Sequence, residues 1–291
     1  MKRRAFLSEL GAAICAAPAI ISGQEVMREH PDDFDSNGVS IHYLVAGEGE
    51  PVIFLHGFIF SIGPAWVSGG LFEALSRTNR VVAMDLRGHG QSGKPHDPKR
   101  YGLEMVNDVL RLMDHLRFDQ AHLVGYSLGG MLACKCLEVA PQRLRSVVLG
   151  GAGWVREDDS AHSSWTPLAE MLERVRPGEK LSSRFWPNPD TRPPREVQDL
   201  VDGNDPAALA AVARGMLDVT VSEDVLRANR VPTLAICGER DPVKASVLAM
   251  KTVMHGLTVR VVPELDHNTL PGSKDFSEAV RDFVGGAIPA V

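Results

Sequence analysis

From residue 39 onward the chain alternates two patterns. Short runs that are wholly apolar, or apolar at every second position, are followed by longer stretches whose apolar residues recur every three or four positions. The first run, Val39 to Val45, follows Asn37-Gly38, a dipeptide suited to a two-residue turn, so the sequence predicts an opening hairpin. Pro51 to Leu55 reads as a buried strand leading to a helix around Leu71 to Arg77. Val81 to Met84 leads through a loop at Asp85 to a helix whose apolar positions are Met105, Val109, Leu112, Met113 and Leu116. His122 to Gly125 leads to a helix-like stretch from Met131 to Ala140, and the strand Ser146 to Leu149 follows. Thr233 to Cys237 and Leu257 to Val262 are two more strands. Such alternation predicts an α/β fold, a mostly parallel sheet with helices on both faces.

Between Ala152 and Ser222 the alternation stops. This stretch carries the proline-rich run from Trp186-Pro187-Asn188-Pro189 to Pro194, and a helical pattern of Trp165, Leu168, Met171, Leu172 and Val175. Asp205-Pro206 is a helix start, Asp as cap and Pro in the first turn. The reading is a helical lid, residues 152–222, inserted after the sixth strand of a core formed by residues 24–151 and 223–291. Trp165, Met171, Phe185, Trp186 and Met216 are candidates to line an apolar substrate pocket there.

The amino terminus is a separate object. Lys2-Arg3-Arg4-Ala5-Phe6-Leu7 gives a basic start, an apolar run of small residues covers Gly11 to Ile21, and Ala17-Pro18-Ala19 offers a cleavage site. Residues 1–23 therefore read as an export signal. The paired arginines are similar to the bacterial twin-arginine type, with Lys2 where Ser or Thr is usual. A periplasmic or secreted protein follows, or a cytoplasmic one if the segment is not a signal.

Chemistry enters at Gly125-Tyr126-Ser127-Leu128-Gly129, placed between a strand and a helix. A sharp turn there strains the central residue and leaves no room for side chains two positions either side, which is what glycines at 125 and 129 supply. Ser127 then stands clear at the sheet's carboxyl edge, with the N–H of Leu128 at the positive end of a helix. A serine hydroxyl needs a base, and among ten histidines His267 lies on a loop just after a strand. Asp241, left at the carboxyl end of Thr233 to Cys237 ahead of Pro242, is the acid candidate. Asp158 and Asp159, after the strand ending near Leu149, are a second acid candidate. A second oxyanion donor is expected at the N–H of Phe58, just past the strand Pro51 to Leu55. His56 and His89 read as loop stiffeners, and Asp85 with Arg87 as a tie for the loop after its strand.

Leu-His-Gly-Phe at 55–58, Asp-Leu-Arg-Gly-His-Gly-Gln-Ser at 85–92, Gly-Tyr-Ser-Leu-Gly-Gly at 125–130, Gly-Glu-Arg-Asp-Pro at 238–242 and Asp-His at 266–267 together resemble the α/β-hydrolase superfamily, in its single-domain esterase and haloperoxidase-like branch. The order Ser127, Asp241, His267 is the order that this resemblance implies for a serine hydrolase. The resemblance implies an acyl-enzyme mechanism on a small to medium ester-type substrate, with no cofactor. Asp266 departs from the pattern, standing where Gly usually precedes the base; it either raises the basicity of His267 or faces solvent. Ser at 127 disfavours the dehalogenases and epoxide hydrolases of this fold, which use Asp. A cofactor-free haloperoxidase or perhydrolase, a C–C bond hydrolase, and a binding protein that does not turn over remain alternatives.

Composition adds exclusions. A net charge of −6 argues against a nucleic-acid partner. No stretch approaches the ~20 apolar residues of a membrane span. Four cysteines without framework or zinc spacing predict neither a disulfide scaffold nor a metal site. Cys134 and Cys136 read as small core residues.

Overall fold

The computed structural model describes residues 30–156 and 164–286. The expected export signal at 1–23, and Asp158 and Asp159, lie outside the described residues. The alternating pattern becomes eight strands: β1 (His30–Asp35), β2 (Ser40–Ala46), β3 (Glu50–Leu55), β4 (Asn79–Met84), β5 (Ala121–Tyr126), β6 (Leu144–Gly150), β7 (Thr233–Gly238) and β8 (Leu257–Val262). They form one sheet in the order β1-β2-β4-β3-β5-β6-β7-β8. β2 is antiparallel to both its neighbours, and the other pairs are parallel. The opening hairpin turns where the sequence places it, with Asn37 and Gly38 both at positive φ, 56° and 75°.

The helices are α1 (Leu71–Ser76), α2 (Leu103–His115), α3 (Leu128–Val139), α4 (Trp165–Glu173), α5 (Ser182–Phe185), α6 (Arg195–Asp202), α7 (Pro206–Gly215), α8 (Glu223–Ala228), α9 (Lys244–Val253) and α10 (Lys274–Val284). The sequence reading places no helix at α8, α9 or α10, and within the lid none specifically at α5 or α6. Two apolar layers sandwich the sheet: Leu55, Leu123 and Leu149 face α2, α3 and the helices between β6 and β7, whereas Phe54, Val124 and Val148 join α1 and α10. Adjacent residues of one strand thus serve opposite faces, the two-residue period of a pleated strand covered on both sides. α4 to α7 stand where the alternation stops, and Asp205 caps α7 by accepting the N–H groups of Ala207 and Ala208.

The strand order places the chemistry. The chain steps outward from β3 to β4 and then returns to the other side of β3 for β5, so the connections after β3 and β5 diverge over neighbouring strands. That reversal opens a crevice at the carboxyl ends of the two strands, where α/β sheets bind their ligands. Leu55 and Gly125 are paired across it, which sets the loop at 56–62 beside Ser127.

Candidate active site

Ser127 is the N-cap of α3 with φ 52° and ψ −114°, outside the conformations an ordinary residue favours. Close approach explains the flanking glycines. A Cβ on Gly125 would strike the carbonyl of Gly129, and one on Gly129 the carbonyls of Leu55 and His56. The turn is pinned by the Ser127 N–H donating to Gly150 O at 2.8 Å and the Gly129 N–H to His56 O at 3.1 Å.

Ser127, His267 and Asp241 come together from three separate loops. His267 Nε2 lies 2.9 Å from Ser127 Oγ, and its Nδ1 lies 3.0 and 3.2 Å from the two Asp241 oxygens. An Nδ1–H donated to Asp241 leaves the Nε2 lone pair facing the serine hydroxyl, the arrangement a general base requires. Asp241 is buried, and its Oδ1 also accepts the Val243 N–H at 3.0 Å. The imidazole keeps 17% of its side-chain surface exposed, so the reacting edge is reachable.

The loop carrying His267 is held by a residue the sequence reading passes over. Buried Tyr126, inside the pentapeptide itself, donates its hydroxyl to the His267 carbonyl at 2.6 Å. Burial pushes its phenol well above the ordinary value, so it stays a donor. The structure also gives Asp266 a definite task. Its Oδ1 accepts the N–H of Asn268, the N–H of Thr269 and the Thr269 hydroxyl, each at 2.9 Å. Burial pushes this carboxyl up, but those hydrogen bonds and the neighbouring His267 outweigh it and hold the carboxyl below the ordinary value. Asp266 shapes the turn on which the imidazole sits.

The loop after β3 completes the site. His56 accepts the Leu86 N–H at Nε2, at 3.0 Å, so its proton sits on Nδ1 and is donated to Gly57 O at 2.8 Å. The Phe60 N–H donates to the same carbonyl at 3.2 Å. The peptide ending in the Phe58 N–H is therefore fixed and polarised from its oxygen side. Among the described residues neither the Phe58 N–H nor the Leu128 N–H donates to a protein acceptor. The next residue, Ile59, is β-branched yet has φ 65°, a conformation costing on the order of 1–3 kcal/mol.

Asp85 ties the loop after its own strand as expected, accepting the Gln91 N–H at 2.7 Å, and it also holds the loop after β3 by accepting the Ile62 N–H at 2.8 Å. Arg87 ties the loop after β4 through the Arg100 carbonyl, with its carboxylate partner on α2. It is fully buried and reaches Asp108, with Nε 2.5 Å from Oδ2 and Nη2 on Oδ1, while Nη1 donates to the Arg100 carbonyl at 2.6 Å. His89 packs edge-on against Phe58 and His56, at ring-centroid distances of 5.7 and 5.2 Å. Burial, then the neighbouring His56, push its imidazole down to about 3.

Of the five apolar candidates, Trp165 reaches this loop, its ring meeting Phe58 edge-on at 5.7 Å. Phe185 and Trp186 stack obliquely on each other at 5.9 Å and are buried with Met216 in the same apolar cluster as Phe58 and Trp165. Met171 is partly buried against that cluster. Cys134 and Cys136 are buried, and burial pushes both thiols up to about 12. Among the described residues, no cluster of three His, Cys, Asp or Glu side chains is arranged to hold a metal ion, and no helix is long and apolar enough to cross a membrane.

Residues 50–197 match the family model of the alpha/beta hydrolase fold. Serine hydrolase BPHL of Mus musculus is 28% identical over 292 residues, covering 97% of this chain and 95% of the relative. The 2-hydroxymuconate semialdehyde hydrolase of Pseudomonas putida is 36% identical over 253 residues, covering 83% of this chain and 89% of the relative. Among solved structures, the enol-lactonase from Burkholderia xenovorans LB400 superposes with a TM-score of 0.72 at 22% identity, covering 87% of this chain and all of that one, and so shares the fold. With the family model spanning half of the chain and the two relatives 97% and 83% of it, this protein belongs to the α/β-hydrolase family, and it is a hydrolase.

Proposed function

We propose that the chain is a serine hydrolase that cleaves a carboxylic ester, of small to medium size and largely apolar, through an acyl-enzyme at Ser127. One observation carries the reading: Ser127 Oγ, at a strained and partly exposed turn, is 2.9 Å from an imidazole nitrogen whose partner nitrogen is held 3.0 Å from a buried carboxylate.

In this mechanism His267 Nε2 takes the hydroxyl proton as Oγ bonds to the substrate carbonyl carbon. The displaced carbonyl electron pair becomes an oxyanion, received by the N–H groups of Phe58 and Leu128. The tetrahedral adduct collapses, the bond to the alkoxy group breaks, and His267 returns the proton to the departing alcohol. Water then adds to the acyl carbon, giving its proton to His267, and a second collapse releases the acid and restores Ser127. Asp241 fixes the tautomer and stabilises the imidazolium. Residues 152–222 act as a lid in this reading, with Trp165 set against the oxyanion loop as its apolar wall. Residues 1–23 act as an export signal, so the protein made in a bacterial host would lack them when its intact mass is measured.

The identity to 2-hydroxymuconate semialdehyde hydrolase supports cleavage of a C–C bond next to a carbonyl as a second reading. Steady-state rates of wild type and Ser127→Ala on p-nitrophenyl esters of graded acyl length, and on a vinylogous 1,5-diketone, separate the two. Ester turnover lost in the variant supports the first reading; turnover of the diketone alone supports the second.

A further inference from the structure

Asn204 stands between α6 and α7, and its side-chain amide reaches the loop after β3. Nδ2 lies 3.2 Å from the Ile59 carbonyl, 2.9 Å from the Leu200 carbonyl and 3.3 Å from that of Val201. The amide has two hydrogens, so one serves the last turn of α6 and the other spans to Ile59. Ile59 is the β-branched residue at φ 65°, and it directly follows Phe58. A backbone in so sparsely populated a region persists only where its surroundings over-determine it. The other anchors of this loop belong to the core: His56 and the Phe60 N–H on the Gly57 carbonyl, and Asp85 on the Ile62 N–H. Asn204 brings an anchor from the segment inserted between β6 and β7. It is itself fixed in place, because Asp205 caps α7 and lies 2.8 Å from His96 Nε2 on the core side.

We propose that Asn204 is a positioning residue for ester hydrolysis: by holding the Ile59 carbonyl it keeps the left-handed turn, and with it the Phe58 N–H, aimed at the developing oxyanion. The proposal rests on the serine-hydrolase reading above. It gives the inserted segment a part in the chemistry, since the oxyanion donor is then in place only while that segment is seated.

The test compares wild type, Ser127→Ala, Asn204→Ala and Asn204→Ser on a p-nitrophenyl ester and on the matching thiono ester, with melting temperatures alongside. Serine keeps a hydroxyl for the Leu200 carbonyl one turn back but is too short to span to Ile59. Removing one oxyanion donor outright costs about a hundredfold to a thousandfold in kcat. A displaced donor should cost less, roughly tenfold to a hundredfold, with KM changed less than about threefold. The loss should shrink on the thiono ester, whose sulfur draws little from an N–H donor in either protein. If Asn204→Ala is too unstable to assay, Asn204→Ser carries the comparison. A kcat within about twofold of wild type in folded Asn204→Ser, or equal losses on the oxygen and sulfur esters, overturns the proposal and leaves a helix-capping residue. Wild type without Ser127-dependent turnover overturns the reading beneath it and the proposal together, so the two failures are distinguishable.

Discussion

Replacing Asp241 by Asn tests the orienting role of the carboxylate with almost no change in shape. Asp241 Oδ1 accepts the Val243 N–H at 3.0 Å, while Oδ2 is the oxygen nearer His267 Nδ1, also at 3.0 Å. In the variant the amide oxygen must stay on Val243, which puts the NH2 group against Nδ1. His267 then has to accept there, carries its proton on Nε2, and can no longer take the proton of Ser127. Turning the amide over restores the tautomer but sets NH2 against the Val243 N–H, leaving a buried donor unpaired at about 1–3 kcal/mol. The productive orientation is thus held to a minority of about one in six to one in a hundred and sixty. That minority also lacks the negative charge that stabilises the imidazolium. The expected loss in kcat is about a hundredfold to ten-thousandfold, equivalent to roughly 3–5 kcal/mol of barrier. The melting temperature should stay close to wild type, because the side chain keeps its volume and its hydrogen bonds. Steady-state kinetics on an activated ester at pH 8, with Ser127→Ala as the floor, reads the loss. A fall of less than about tenfold in a folded Asp241→Asn protein would refute the argument.

Three further outcomes follow from the same contacts. Asp108→Ala strands the fully buried Arg87 guanidinium; breaking such a pair costs about 3–5 kcal/mol, which calorimetry should record as a melting point lower by roughly 6–15 °C, and an unchanged one contradicts the account. His89, held neutral down to about 3 by burial, binds no proton in the folded state where the unfolded chain, with an ordinary value near 6.5, does. Stability should therefore fall as pH drops from about 6.5 toward 3, by at most ~1.4 kcal/mol per pH unit from this residue, and His89→Gln should flatten the pH dependence of the melting temperature. Gly129→Ala drives a Cβ into the carbonyls of Leu55 and His56; overpacking of this kind costs typically about 1–3 kcal/mol, and ester turnover should disappear even in protein that remains folded by circular dichroism.

What was legible in the sequence was what short-range pattern controls. Strands buried on both faces show as apolar runs, and their ends locate Ser127, Asp241 and His267, because loops that carry chemistry leave a parallel sheet at its carboxyl edge. Asn37-Gly38 and Asp205-Pro206 likewise specify a turn and a cap by local backbone chemistry alone. Partners distant in sequence were not legible. Arg87 finds its partner Asp108 because α2 brings a carboxylate under the loop, and nothing in the composition of either segment says so. Asn204 reaches Ile59 from 145 positions away, and Tyr126 reaches the His267 carbonyl from 141. Asp266 is half-buried beside His267, and its hydrogen bonds with Asn268 and Thr269, which fold back onto its carboxylate, were not legible. Apolar residues between β6 and β7 could not be sorted by sequence either. Phe185 and Trp186 stack on each other within the same buried cluster as Phe58, whereas Trp165 meets the Phe58 ring itself, a difference set by packing rather than residue type.

The central claim is that His267 and Asp241 make Ser127 a nucleophile, and the most direct measurement is the intact mass of wild type and Ser127→Ala after exposure to a fluorophosphonate, followed by peptide mapping. The account predicts one adduct per wild-type chain, on Ser127, and none on the variant. Folded wild type that takes up no adduct, or an adduct that persists in Ser127→Ala, would contradict it.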